Sequence, residues 1–204
     1  LHKMVAKLTH RGPDLEGKTF HEGVALGHRR LSILDLSPAG KQPMESSRYC
    51  LVYNGEIYNF LTLKRELESF GASFHGGSDT EILLTCIEKW GLKKSLDKIN
   101  GMFAFALWDK EKKILFLARD RMGQKPLYYG KAGNDFIFSS ELKSLDPYPH
   151  FKKDIDRQAL SLYFKYNYIP TPYSIYKRIK KLSPGTYIQV DQKGNVSPEI
   201  PFWE

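Results

Sequence analysis

No apolar run in this 204-residue chain approaches the roughly 20 residues that a membrane-spanning helix requires. Charged residues make up 26% of it and are spread along its whole length. The opening segment Leu1 to Lys7 has neither the apolar stretch nor the Ala-x-Ala site of a secretory signal. Cysteine is scarce. Cys50 and Cys86 are too few for a disulfide framework and do not stand at metal-ligand spacing, so a reduced, cytoplasmic setting is expected. Also missing are a Gly-rich phosphate loop, His-Glu-x-x-His, Cys-x-x-Cys and a Gly-x-Ser-x-Gly elbow. Six histidines occur, none paired on one helix, and no metal site is expected.

What is present is ordinary globular composition, 41% hydrophobic, with a net charge of +8. Basic charge raises the question of nucleic acid. The lysines, however, fall as scattered pairs (Lys93-Lys94, Lys112-Lys113, Lys152-Lys153, Lys180-Lys181), which suits a solvated surface facing an anionic substrate or a second domain. No nucleic-acid or membrane partner is expected.

Periodicity predicts three helices. Ser78-Asp79-Thr80-Glu81 is a capping box, followed by Ile82, Leu83, Cys86, Ile87 and Trp90 at helical spacing and by Gly91 at the stop. Asn59 is placed to cap a helix buried through Leu63, Leu67 and Phe70. A third helix follows Asp156, with Ala159, Leu160, Tyr163 and Phe164 on one face, and Met4, Val5 and Leu8 read as the tail of another. Strands are expected at Val24 to Ile33, Tyr49 to Tyr53, and in hairpins of Met102–Trp108 with Ile114–Arg119 and Pro126–Gly130 with Phe136–Ser139. Tyr187 to Val190 begins another. Hairpins between a few helices imply antiparallel pairing and an α+β architecture. One domain is expected over residues 1–146. Residues 147–204 would complete it and end in a Pro-rich linker, Ser197 to Pro201.

Short strings then recur in order: Thr9-His10-Arg11-Gly12-Pro13-Asp14; Gly27 to Asp35 (GHRRLSILD); Val52-Tyr53-Asn54-Gly55-Glu56-Ile57-Tyr58-Asn59; Gly77-Ser78-Asp79-Thr80-Glu81; Gly101 to Asp109; Arg119 to Tyr129; and Ser139 to Leu145. Together they make the chain resemble, from Thr9 to about Tyr187, the class II glutamine amidotransferase (glutaminase) domain. His-Arg-Gly-Pro-Asp and Asn-Gly-Glu-Ile-Tyr-Asn favour the asparagine synthetase branch over phosphosugar-synthase and purine-pathway relatives. The resemblance implies the four-layer αββα sandwich of N-terminal nucleophile hydrolases. It also implies a first-residue cysteine whose own α-amine takes the thiol proton. The thiolate attacks the glutamine amide, ammonia leaves, and water releases glutamate.

By resemblance, the Asn54 side chain and the Gly55 N–H form the oxyanion hole. Arg30 forks onto the glutamine α-carboxylate, Asp79 pairs with its ammonium, and Glu56 lines the same pocket. All but Glu56 have a plainer reading. Asn54-Gly55 also suits a type I′ turn, Arg30 a strand end, and Asp79 the first turn of a helix, where its charge meets the dipole. Cys50 and Cys86 read as buried and inert.

The family opens with Cys-Gly-Ile about twenty residues before His-Arg-Gly-Pro-Asp, whereas nine residues precede His10 here. The nucleophile and a core strand are therefore expected upstream of Leu1, and this chain alone is expected to be inactive. ATP and Mg²⁺ belong to an expected C-terminal synthetase domain, which would receive the ammonia; none is expected in this domain. The acceptor would be aspartate or a related acid, and the resemblance allows a homodimer. The alternative is a non-catalytic domain of the same fold, as in β-lactam synthetase-like relatives.

Overall fold

The computed structural model describes residues 1–33 and 35–203; Leu34, part of the second string, lies outside them. Its centre is a six-stranded antiparallel sheet ordered β11-β10-β6-β5-β4-β3. The strands are β3 (Met44–Glu45), β4 (Tyr49–Ile57), β5 (Gly101–Asp109), β6 (Ile114–Arg119), β10 (Thr186–Val190) and β11 (Ile200–Pro201). Strand β5 is buried along nearly its whole length because both of its faces are covered. Side-chain alternation sorts its residues. Phe103, Phe105 and Leu107 face one hydrophobic cluster, while Ala104, Ala106 and Trp108 face another. Strand β4 divides the same way, with Leu51, Tyr53 and Ile57 to the first and Cys50 and Val52 to the second.

Helices cover the first face: α2 (Phe60–Ser69), α3 (Asp79–Trp90) and α4 (Leu92–Lys98). The expected stripe of α3 is realised, since Ile82, Leu83, Cys86 and Ile87 are at most 2% exposed. Each such aliphatic side chain contributes about 1.5–3 kcal/mol by burial. The helix stops at Gly91, whose φ of +79° is costly for any residue with a Cβ. Of the capping box, only half forms. Ser78 Oγ accepts from Glu81 N at 3.3 Å, but the Glu81 carboxylate accepts from His75 N and Gly76 N instead of from Ser78. Asn59 sits at the N-cap of α2 without a capping bond. Its side chain instead donates to the Lys98 carbonyl at 3.0 Å and accepts from Asn100 N at 2.9 Å, tying α2 to the end of α4.

A second layer of strands covers the other face. It consists of a pair, β1 (Leu15–His21) with β2 (Val24–Arg30), and a three-stranded sheet ordered β8-β7-β9. The latter comprises β7 (Tyr128–Ala132), β8 (Asp135–Ser139) and β9 (Ile179–Lys181). Outside it lie the short helix α1 (His2–Ala6) and the segment around Leu142 to Phe151, joined through a third cluster containing Ile137, Leu145 and Ile179. Helices, sheet, strands and an outer helical layer make up the α+β sandwich expected.

Five elements depart from the sequence reading. Phe70, expected on the buried stripe of α2, stands at its C-cap and is 56% exposed. Strand β1 is not foreseen, because its exposed and half-buried residues give no clear alternation. Strand β2 ends at Arg30, not Ile33. The stripe on α5 (Arg157–Tyr166) is mostly solvent-facing: Ala159 is buried, but Tyr163 is 48% and Phe164 76% exposed. The Pro-rich string is no free linker, for Ile200 and Pro201 pair with Tyr187 and Thr186.

Candidate active site

Asn54-Gly55 is not a turn. Both residues lie inside β4, opposite Ala104 and Phe103 of β5. Gly55 is required there by its neighbour strand, because a Cβ would stand 2.3 Å from the Met102 carbonyl oxygen and 2.8 Å from Phe103 Cα. Backbone alternation then fixes where its N–H points. Tyr58 N–H, in the even-numbered set, donates to the Asn100 carbonyl at 2.8 Å. The odd set points away from β5, where β3 no longer pairs beyond Leu51. Tyr53 N–H donates to Gln42 Oε1 at 2.6 Å, and Ile57 N–H donates to Asp79 Oδ2 at 2.9 Å. The Gly55 N–H lies between these two on the same open side of the strand.

Asp79 is the first residue of α3 and only 5% exposed. Oδ2 also accepts from the Tyr53 hydroxyl at 2.7 Å. Burial raises its pKa, while the bonds from Ile57 N–H and Tyr53 pull the other way. The neighbouring Glu56 is likewise raised, by burial and then by the charge of Asp79. Asn54, Gly55, Glu56 and Asp79 are thus brought to one stretch of β4. The hydroxyl of Tyr53, which the sequence reading passed over, holds Asp79 in place, and its position beside Asn54 was the available signal.

Arg30 reaches this region indirectly. It is 7% exposed, and its guanidinium donates to the Ser37 carbonyl at 2.9 Å and to the Asp35 carbonyl. A Cβ on Gly40 would fall 2.0 Å from Nη2, so the arginine is packed beneath residues 35–40. Asp35 Oδ2 in turn accepts from Gly77 N at 2.9 Å, just before α3. Two of the five guanidinium donors are spent on the loop, which leaves three for a further acceptor.

The other face of β4 opens on a cavity of about 560 Å³ between the two layers of strands. Residues of β2 and of β8 both line it. Among the described residues each of these strands has one partner, β1 and β7 respectively. The lining mixes apolar and polar residues, and Asn54 Nδ2, His28 Nδ1 and Trp108 Nε1 are buried along it without a hydrogen-bond partner. His28 belongs to the second of the sequence strings. Its Nε2 sits 3.0 Å from the Tyr53 carbonyl, which fixes the proton on that nitrogen and leaves Nδ1 an acceptor. Burial lowers its pKa to about 4, against the opposing pull of that carbonyl. An amide donor buried without a partner costs about 1–3 kcal/mol, so its retention beside an open edge suits a ligand that develops negative charge.

Other strings are scaffolding. Asp120 accepts from the N–H groups of Phe103, Met122, Gln124 and Lys125 at 2.9–3.2 Å. Arg119 donates to the carbonyls of Gly123, Lys125 and Leu182 at 2.6–2.8 Å. Glu141 joins two distant strings, with His10 and Arg11 at 3.0 Å and Lys143 at 3.2 Å. Neither cysteine is a nucleophile. Both are fully buried, and burial pushes both thiols up to about 12.

Layered antiparallel sheets, a strand-borne amide donor on one face of β4 and a buried carboxylate on the other are the architecture of an amidotransferase domain. Residues 1–203 match the family described as the glutamine amidotransferase domain, and the chain belongs to that family. It is 39% identical over its whole length to a protein of Methanocaldococcus jannaschii named a putative glutamine-hydrolysing asparagine synthetase 2, spanning 43% of that relative. Asparagine synthetase 1 of Bacillus subtilis is 38% identical over 98% of the chain, which spans 32% of it. The chain therefore covers less than half the length of these relatives. Among solved structures, the B. subtilis glutamine phosphoribosylpyrophosphate amidotransferase complexed with ADP and GMP superposes with a TM-score of 0.63 at 24% identity, over 87% of this chain and 34% of that one. No helix of the described residues is long and apolar enough to cross a membrane.

Proposed function

We propose that this domain hydrolyses glutamine to glutamate and ammonia, and that the polypeptide carrying it uses the ammonia for ATP-dependent amidation of aspartate or a related acid. The observation that carries the reading is the partnerless Asn54 Nδ2 on the cavity. Beside it, the Gly55 N–H lies on the open side of β4, and a buried carboxylate, Asp79, flanks the same stretch. In this reading Asn54 and Gly55 hold the oxyanion of the tetrahedral intermediate. Each donor is worth about 3–4 kcal/mol in such sites. Asp79 and Glu56 face the α-ammonium, and the unspent donors of Arg30 face the α-carboxylate.

The nucleophile would be an N-terminal cysteine delivered by an extended segment into the space between β2 and β8. The unpaired edges of β2 and β8 offer backbone partners for such a segment, and His28 and Trp108 offer polar ones. The amidation step would draw on ATP and Mg²⁺ held outside these residues, which include no phosphate loop. Two buried free thiols suit a reducing cytoplasm, and a homodimer is compatible with the reading. The test is kinetic. In the polypeptide that carries the domain, Asp79→Ala and Arg30→Ala should each raise the glutamine requirement while ammonia-dependent synthesis persists. Unchanged glutamine kinetics in both variants would remove the assignment.

A further inference from the structure

Of the partnerless buried polar atoms among the described residues, three line the cavity, and the fourth, His21 Nε2, does not. It lies where three strands meet: His21 ends β1, Glu45 is in β3 and Cys50 is in β4. One ligand-type atom from each, His21 Nε2, a Glu45 carboxylate oxygen and Cys50 Sγ, lies within 4.8 Å of the other two. Glu45 Oε1 is 3.4 Å from His21 Nε2, outside hydrogen-bonding geometry, and 3.8 Å from Cys50 Sγ.

Two of the three separations are close to those a tetrahedral ion imposes, and the third, between His21 Nε2 and Cys50 Sγ, is within 4.8 Å. With metal–nitrogen and metal–oxygen bonds of about 2.0–2.1 Å and a metal–sulfur bond of about 2.3 Å, the ligand–ligand edges come to about 3.3–3.6 Å. The carboxylate–imidazole edge already has that length, and the thiol edge needs a few tenths of an ångström. The carboxylate is also held for one-oxygen ligation. Thr19 Oγ1 donates to Oε1 at 2.8 Å, and Lys110 Nζ binds Oε2 at 3.1 Å. Such outer partners are what orient ligands around bound metals. Lys110 opposes the ion by its charge, but a carboxylate and a thiolate outweigh it by one negative charge.

We propose that His21, Glu45 and Cys50 form a binding site for one divalent ion of the zinc class, separate from the glutamine site. One soft sulfur, one imidazole and one oxygen select Zn²⁺ or Co²⁺ over Mg²⁺ and Ca²⁺, which require mostly oxygen ligands. On binding, a metal–sulfur bond forms, the Cys50 thiol proton passes to solvent, and water takes the fourth position on the exposed Glu45 side. The ion would staple the β1–β2 pair to the edge of the six-stranded sheet, at the two-residue strand β3. This inference does not depend on the glutaminase reading. Cys50 precedes Asn54 by four residues, about 13 Å along an extended strand.

The experiment is a titration of the reduced protein with Co²⁺ under anaerobic conditions, read by absorption, followed by displacement with Zn²⁺. The expected result is one equivalent of tetrahedral cobalt with a thiolate-to-metal charge-transfer band that Zn²⁺ abolishes. Cys50→Ser should lose the band, and His21→Ala should weaken binding by about tenfold or more. Cys86→Ser should retain both. His21 is at a partly exposed strand end, so its variant serves even if Cys50→Ser fails to fold. The proposal is overturned if no thiolate band forms at saturating Co²⁺, if the band follows Cys86 instead of Cys50, or if His21→Ala binds with full affinity.

Discussion

Strand β4 carries two polar sites on one face, and they differ in kind. At one end Cys50 meets His21 and Glu45, side chains that charge, attract a cation or accept a proton. Four residues on, Asn54 presents a neutral amide to the cavity, with His28 and Trp108 equally uncharged around it. Both ends keep a buried polar atom without a protein partner, a cost that packing alone would remove. The lesson lies in which ligand each would satisfy. A neutral donor fixed in a buried wall stabilises negative charge that develops only during a reaction, because it needs no reorganisation. A sulfur, an imidazole and a carboxylate converging on one point match a standing positive charge.

The sharpest way to separate the two ends is Asn54→Ala. Its expected effect is a loss of about 10²–10³-fold in glutamine-dependent turnover with cobalt binding untouched; normal turnover would leave the amide a structural residue. Asp79→Asn comes next. It keeps an acceptor for Tyr53 and Ile57 but removes the charge, so the KM for glutamine should rise about 10- to 100-fold, the worth of a hydrogen bond to a charged group. A KM within twofold of the parent would assign Asp79 to the helix terminus alone.

Gly55→Ala tests the wall itself. The new methyl would press on the β5 backbone at Met102 and Phe103, and overpacking of this kind costs about 1–3 kcal/mol in urea unfolding. Wild-type stability would show that β4 and β5 can part locally.

The smallest effect is pH-dependent. His28 has a folded pKa of about 4 against about 6.5 in the unfolded chain. Between these values the unfolded chain binds the extra proton, so stability rises with pH. The contribution is complete above about 6.5 and is lost as pH falls towards 4. His28→Asn should flatten the thermal-melting profile over that window. An unchanged slope would mean that water reaches the ring.

Much of this was legible in the chain. The helix from Asp79 announced itself through Ser78, its apolar spacing and Gly91, all local signals. The strings around Asn54 and Asp79 marked the candidate site, and their order along the chain carried the family. Less could be read where a residue's partner is remote. Arg30 is visible as a cation, but the loop carbonyls of Asp35 and Ser37 that it holds are not. Glycine at position 55 suggested a turn or a ligand's approach, whereas the backbone that comes close is that of β5. Cysteine and histidine spacing reads neighbours along the chain, whereas the cluster of His21, Glu45 and Cys50 is drawn from three strands.

The sequence by itself determined the local elements, the apolar faces and the family, because hydrophobic period, caps and motif order are written in neighbouring residues. Tertiary structure decided which polar atoms were left unpartnered and what they face. Strand pairing alone set the Gly55 N–H on the open side of β4, packed the layers around the cavity beside Asn54, and brought His21, Glu45 and Cys50 within ligand reach. Those outcomes depend on register and on burial between distant segments, and neither is a property of any short stretch of chain.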